Sequence, residues 1–294
     1  MGSTVWIDGR LVPRDQATVS VFDSGFVLGD GVWEGLRLVR GRLLFLDAHL
    51  DRLYEGAKAL FFDVGLSRAE LARALYATAA ANGFADQCHL RLMVTRGVRR
   101  SPYQDPRLAL GKATVVIVAQ PDASDAARAA KGVTLFTVHV RRGAPDVQDP
   151  KLNSHSKLNC ITACIQAQQA GADEALMLDP QGFVATCNST HFFIVRKGEV
   201  WTSTGRYCIP GITRAAVLRA CREAGIPASE KDFSLTEVYG ADEAFVTGTM
   251  AGVVPVRSVD GRVFGDGARG PLVLRLQQLY QELVARDVAA APAP

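Results

Sequence analysis

The sequence predicts an α+β chain of two domains, and three observations lead there. Short apolar strands are punctuated by tight turns such as Asp8-Gly9, Asp179-Pro180-Gln181-Gly182 and Lys197-Gly198. Several longer runs place apolar or small residues at helical spacing, as in Leu71, Leu75 and Ala79. A stretch rich in Ala and Asp with Pro121, residues 120–131, interrupts both patterns. The boundaries read as a small N-terminal domain at 1–120, a linker at 121–131 and a larger domain at 132–294. Because tight turns join the strands after residue 174, they are expected to form an antiparallel meander and not a crossover of the dinucleotide-binding kind.

Each element has its own signal. Residues 5–12 read as a hairpin turning at Asp8-Gly9. Residues 29–39 begin as a glycine loop and end as a strand, and Gly41 turns it into residues 43–46. Asp47 then caps a helix with His49, Leu50, Leu53 and Ala57 on one face. A second helix spans 67–82, and strands follow at 89–95 and 114–119. The loop between those strands, 96–105, holds three arginines, Pro102 and Tyr103. In the second half come a strand at 133–140, a loop at 142–156 and a helix from about 156 to 170 that stops at Gly171. Strands at 174–178, 183–186, 192–196 and 200–201, a helix at 213–224, a strand at 243–247 and a last helix at 271–286 complete the chain.

Composition limits the partners. Of 294 residues, 48% are apolar and 21% charged, which suits a folded chain with a large core. The net charge of +3, with Lys and Arg scattered, argues against a nucleic-acid partner. No window is long and apolar enough for a membrane span, and the N-terminus has no basic segment followed by an apolar one. The six cysteines form no Cys-x-x-Cys pair, so a reduced, cytoplasmic setting without a metal site is the expectation.

The strongest chemical signal is Ile209-Pro210-Gly211-Ile212-Thr213-Arg214 ahead of an apolar-periodic helix. A glycine followed by the uncapped N–H groups of a first turn makes an anion site, because orphan donors and the helix dipole both favour negative charge. A phosphate fits such a place.

Several motifs fall in a fixed order around it: Gly29-Asp30-Gly31-Val32-Trp33-Glu34-Gly35-Leu36-Arg37, His49-Leu50-Asp51-Arg52-Leu53, Asp173-Glu174-Ala175-Leu176-Met177-Leu178-Asp179, Gly182-Phe183-Val184, Phe192-Phe193-Ile194-Val195, Pro210-Gly211-Ile212-Thr213-Arg214, Ala241-Asp242-Glu243-Ala244-Phe245, Thr247-Gly248-Thr249 and Val254-Pro255-Val256. Over nearly its whole length the chain resembles the class IV, or fold-type IV, pyridoxal-phosphate-dependent aminotransferases, which include branched-chain and D-amino-acid aminotransferases and aminodeoxychorismate lyase. The resemblance implies a small N-terminal domain and a larger one built on a barrel-like sheet with helices. It also implies pyridoxal 5′-phosphate as cofactor, amino acids and 2-oxo acids as substrates, and a homodimer.

Residue by residue, the resemblance implies that Arg52, Ile212, Thr213 and Thr249 hold the cofactor phosphate, with Gly248, Thr186 and Asn188 also at the cofactor. An arginine fork, a helix N-terminus and hydroxyls together suit a dianion. Such an enzyme needs a lysine to form a Schiff base with the cofactor and to move protons. Lys151 and Lys157 are the candidates. Laid without gaps, the family's lysine position falls near Asn153, which cannot form that bond. Lys157 falls where branched-chain enzymes carry a tyrosine beside the cofactor, within reach of the same carbon. Lys151 lies on the face of Asn153 but about 6–7 Å too far back, so Lys157 is favoured.

A second departure concerns the ring nitrogen. Family members carry a Glu that keeps it protonated; the matching stretch here is Ala185-Thr186-Cys187-Asn188-Ser189-Thr190-His191, with Thr186 for the Glu and His191 for an Asn. A hydroxyl donating to a neutral nitrogen makes a weaker electron sink than a protonated ring. A lyase, or a cofactor-binding protein without catalysis, therefore stands beside the aminotransferase reading. For the substrate, Trp33 is expected over the site and Arg99, Arg100 and Tyr103 in a carboxylate-binding loop. Arg37 and His139 read as structural.

Overall fold

The computed structural model describes residues 3–122 and 131–290, so most of the expected linker lies outside the described residues. These residues form two compact units. One comprises 3–122 together with 152–156 and 287–290; the other comprises 131–151 and 157–286. That residues 152–156 leave the second unit for the first is not visible in the sequence, where they read as part of one long loop.

The first unit is an antiparallel six-stranded sheet in the order β2-β1-β6-β5-β3-β4. Its strands are β1 (Thr4–Ile7), β2 (Arg10–Pro13), β3 (Gly31–Val39), β4 (Arg42–Leu43), β5 (Cys88–Thr95) and β6 (Thr114–Pro121). Asp8 and Gly9 both take positive φ, +47° and +92°, as a two-residue hairpin turn requires. A short helix, α1 (Ser24–Leu28), precedes β3; α2 (Leu46–Ala59) and α3 (Arg68–Ala81) follow β4. Ser67 and Glu70 close a capping box at the start of α3.

Strand alternation gives this sheet two unlike faces. Leu36 and Leu38 of β3 and Leu90 and Leu92 of β5 pack on Leu50, Leu53, Leu71 and Leu75 of the two helices. The opposite set, Trp33, Gly35 and Arg37 paired with Met93, Arg91 and His89, lies on the other face. Residues 152–156 are zippered onto the start of β3. Trp33 donates its amide to Asn153 O at 2.9 Å, and His155 donates to Gly31 O at 3.0 Å. Gly31 permits that approach, since a Cβ there would stand 2.5 Å from Val94 O and 2.7 Å from the His155 ring.

The second unit holds a nine-stranded mixed sheet. Its strands are β7 (Val133–Thr137), β8 (Glu174–Leu178), β9 (Val184–Cys187), β10 (His191–Arg196), β11 (Glu199–Thr202), β12 (Ala228–Glu230), β13 (Glu243–Gly248), β14 (Gly252–Val259) and β15 (Arg262–Val263). Its helices are α4 (Pro145–Gln148), α5 (Leu158–Gln169), α6 (Ile212–Glu223), α7 (Leu235–Tyr239) and α8 (Pro271–Ala289). The expected meander is only part of this sheet. β7 pairs parallel with both β8 and β14, and β11 pairs parallel with β12. The connection from β7 to β8 runs through α5, the helix expected there from the sequence, so it is a crossover between parallel strands.

The sheet curls. Its order runs β12-β11-β10-β13-β14-β7-β8-β9, which separates β9 from β10 by five steps. Laid flat, five steps are about 24 Å. The three residues between Cys187 and His191 allow about 15 Å at most. The ends must therefore come together, and Cys187 donates to Thr190 O at 3.0 Å in the turn that joins them. Thr186 and His191 sit beside this seam.

Candidate active site

The seam of the second unit collects several of the expected residues. The Thr186 hydroxyl donates to Thr190 O at 2.9 Å. A Cβ built on Gly248 would lie 3.4 Å from the Thr190 methyl. His191 is paired across the sheet with Thr247, so both side chains point to one face. On that face the His191 ring presses on Gly211, where a Cβ would stand 2.2 Å from its Nε2. Glycine at 211 is thus required by close approach; its φ of −68° is ordinary.

Gly211 is the N-cap of α6 and has no side chain to cap the helix. The first-turn amides of Ile212 and Thr213 consequently have no capping acceptor, and Thr213 is buried. The Thr247 hydroxyl is also fully buried and without a hydrogen-bond partner among the described residues. An uncapped helix start beside an unsatisfied buried hydroxyl is suited to an oxyanion. Thr249 follows in the β13–β14 turn, half-buried. Asn188 is engaged otherwise: its Oδ1 accepts from Ala175 N at 2.8 Å, which extends the β8–β9 ladder.

The two lysines differ in setting. Lys157 is the N-cap residue of α5 and is half-buried, and its carbonyl accepts from Ile161 at 2.9 Å. One turn on, Cys160 Sγ lies 3.1 Å from Arg142 Nη1, while Arg142 Nε donates to Tyr207 O at 3.1 Å. The start of α5 is thereby tied to the loop that leads into α6. Lys151 is exposed, beside Asp149. Asn153, at the family's lysine position by the resemblance, is buried in the first unit and donates its amide to Trp33 O at 2.6 Å.

In the first unit, Arg52 does not stand alone. Its Nε and Nη2 reach Glu34 at 2.8 and 2.7 Å, and His49 Nδ1 lies 2.6 Å from the same carboxylate. Burial pushes the Glu34 carboxyl up, but the hydrogen bonds from His49 and Arg52 outweigh it and hold it below the usual range. Arg99, expected in a carboxylate-binding loop, is engaged within that loop. It is 2% exposed, and its Nη2 donates to Tyr103 O and Asp105 O, both at 2.5 Å, so its fork closes its own loop. Arg100 and Tyr103 are exposed on that loop.

A cation that the sequence reading did not single out is Arg91. Its guanidinium carbon lies 3.5 Å from the centroid of the Trp33 ring, on the helix-free face. Trp33 is itself pinned, its indole donating to Ser154 O at 3.1 Å. Among the described residues Arg91 has no ion pair, whereas neighbouring Arg37 is paired to Asp122 at 2.7 Å. His89 faces Gly35 nearby, and burial lowers its basicity. The alternation His89, Arg91, Met93 within an apolar strand was the available signal. Glu174 was also missed as a site residue; it is buried, and its Oε1 holds the Ser189–Thr190 turn. Among the described residues no cluster of side chains could hold a metal ion, and no helix is long and apolar enough to cross a membrane.

Curled mixed sheet, uncapped helix start and motif order together define a fold of the class IV aminotransferase type. The model of the family "Amino-transferase class IV" matches residues 31–259, and the chain belongs to that family. It is 38% identical over 280 residues to a putative branched-chain-amino-acid aminotransferase of Methanocaldococcus jannaschii, covering 95% of this chain and 96% of that one. It is 40% identical over 291 residues to branched-chain-amino-acid aminotransferase-like protein 2 of Arabidopsis thaliana. That match covers 98% of this chain and 51% of the relative, so the chain spans about half the length of that protein. Among solved structures, the branched-chain aminotransferase of Thermoproteus uzoniensis with norvaline superposes with a TM-score of 0.87 at 31% identity, covering 97% of this chain and 96% of that one.

Proposed function

We propose that the chain binds pyridoxal 5′-phosphate and exchanges an amino group between an amino acid, of branched-chain or D-amino-acid type, and a 2-oxo acid. The observation that carries this reading is the cradle at the start of α6, where the Ile212 and Thr213 amides have no side-chain cap and the buried Thr247 hydroxyl lacks a partner among the described residues. Each is a donor that a phosphate oxygen would satisfy, so the residues present fit the cofactor's anionic end.

When bound, the cofactor supplies an aldehyde carbon for an amine and a ring that draws electron density from the substrate. The chain supplies the rest. Lys157 Nζ is the amine we assign to hold the cofactor and to take the proton from the substrate Cα. Thr249 would add a hydroxyl to the phosphate donors. In the first unit, Arg91 offers a fork to a substrate carboxylate, held in place by stacking on Trp33. Arg52 is held in place through Nε and Nη2 by the buried Glu34. A cytoplasmic homodimer belongs to the same reading. Six free cysteines support the compartment, and the exposed stripe of Leu158, Ile161 and Ile165 on α5 supports a second copy.

A second reading, binding without transamination, is favoured by one observation: the buried, hydrogen-bonded amide of Asn153. Mixing cofactor-saturated protein with leucine, glutamate and alanine of both hands, one at a time, separates the two. Loss of the aldehyde-form absorbance, restored by a 2-oxo acid, supports the aminotransferase. A spectrum unmoved by every donor refutes it.

A further inference from the structure

Thr186 lies on β9 and is 5% exposed. Its hydroxyl is 2.9 Å from Thr190 O, and a carbonyl cannot donate, so the proton of this bond comes from Thr186. The carbonyl is held in place from behind. Glu174 Oε1 accepts the Ser189 and Thr190 amides at 2.9 and 2.8 Å and their two hydroxyls at 2.8 and 2.9 Å. Burial raises the Glu174 carboxyl above its usual range in spite of these four donors.

A hydroxyl has one proton. With it directed to Thr190, Thr186 Oγ1 presents only lone pairs to whatever approaches. An acceptor beside a basic ring nitrogen favours the protonated ring, because hydrogen bonding to the charged form stabilises that form. The sequence alone suggested the reverse, a hydroxyl donating to a neutral ring. Nothing in the residue type distinguishes the two; the partner of the proton does.

We propose that Thr186 meets the ring nitrogen of a bound pyridoxal-type cofactor as a hydrogen-bond acceptor, and that Glu174, acting through the Thr190 peptide, is the positioning residue that keeps it so. This rests on the cofactor reading above and on the resemblance that sets Thr186 at the position of the family's Glu, which faces that nitrogen. The titratable and charged groups on β9 and its neighbours are Glu174 on β8, Cys187 on β9, and His191 and Arg196 on β10. Of these, Glu174 is the carboxylate bound to the Thr190 amide and hydroxyl.

The test is the full chain saturated with pyridoxamine 5′-phosphate carrying 15N in the ring, titrated by NMR. The wild-type ring nitrogen is expected to titrate about one pH unit above that of Thr186→Val, which loses the acceptor, with Thr186→Ser restoring the wild-type midpoint. Glu174→Gln and Glu174→Asp are expected to lower the midpoint with Thr186 untouched. Equal midpoints for wild type and Thr186→Val, or a lower one in wild type, overturn the acceptor role. Midpoints unchanged in both Glu174 variants overturn the positioning role. Failure of wild type to bind pyridoxamine 5′-phosphate at all would instead overturn the cofactor reading, and this inference with it.

Discussion

Asn153 donates its side-chain amide to the carbonyl of Trp33 at 2.6 Å, while its own carbonyl receives the Trp33 amide at 2.9 Å. The pair fastens residues 152–156 to β3, immediately before Lys157 begins α5. A residue so bound is a structural clamp. Asn153→Ala is expected to leave the Trp33 carbonyl short of a donor and to cost about 1–3 kcal/mol. Denaturant unfolding monitored by Trp fluorescence measures it, and an unchanged midpoint would remove the clamp from the account.

Thr247 leads to an opposite expectation. Its buried hydroxyl has no partner among the described residues, so Thr247→Val should be neutral or slightly stabilising for the free chain. The same change should weaken binding of pyridoxal 5′-phosphate by about tenfold, the loss of one hydrogen bond to a charged group. Thermal unfolding and equilibrium dialysis, run side by side, check both directions. A destabilised protein with unaltered affinity would mean that the hydroxyl serves the fold and not an anion.

Arg91 is expected to select carboxylates. Arg91→Ala should raise KM for a dicarboxylic donor about 10–100-fold, with a smaller change for leucine, since a fork to a carboxylate is worth about 1.5–3 kcal/mol. Arg91→Lys should recover little, because a single ammonium cannot reproduce the stacked, planar fork over Trp33. Steady-state kinetics with glutamate and leucine decide the matter: equal increases for both would assign Arg91 to the α-carboxylate they share, and no increase for either would place it outside substrate recognition.

Glu34 should give the fold an acid-sensitive component. Its carboxyl is held below the usual Glu range in the folded state by His49 and Arg52. The unfolded chain therefore takes up the proton first as pH falls. The stabilisation is fully present above the unfolded value of about 4.3 and is lost as pH drops through the folded one. Glu34→Gln removes that pH dependence and takes the buried carboxylate away from Arg52 and His49, a loss of about 3–5 kcal/mol at neutral pH. Urea unfolding of both proteins from pH 7 down to pH 3 tests this; parallel curves would contradict it.

How far the chain could be read in advance depends on which forces were local. The hairpin at Asp8-Gly9, the apolar face of α3 and the glycine ahead of α6 act over a few residues, and all were visible. β14 was not, because Pro255 within it cannot donate to a ladder and argues against a strand. There it pairs with Phe245, and the parallel register with β7 begins one residue later at Val256. The curl that brings Thr186, His191 and Gly211 together follows from strand order, which no local pattern encodes. The surroundings of Arg91 and Arg99 were not legible either, because only the folded contacts set them apart: the Trp33 ring lies against one guanidinium, and the Tyr103 and Asp105 carbonyls accept from the other.

The central claim is that Lys157 is the amine holding the cofactor, and its most direct test is chemical. Protein saturated with pyridoxal 5′-phosphate is reduced with borohydride, digested and mapped by mass spectrometry. The account predicts the phosphopyridoxyl mass on Lys157 and its absence from Lys157→Ala. A label on Lys151, or none on either lysine, would contradict it.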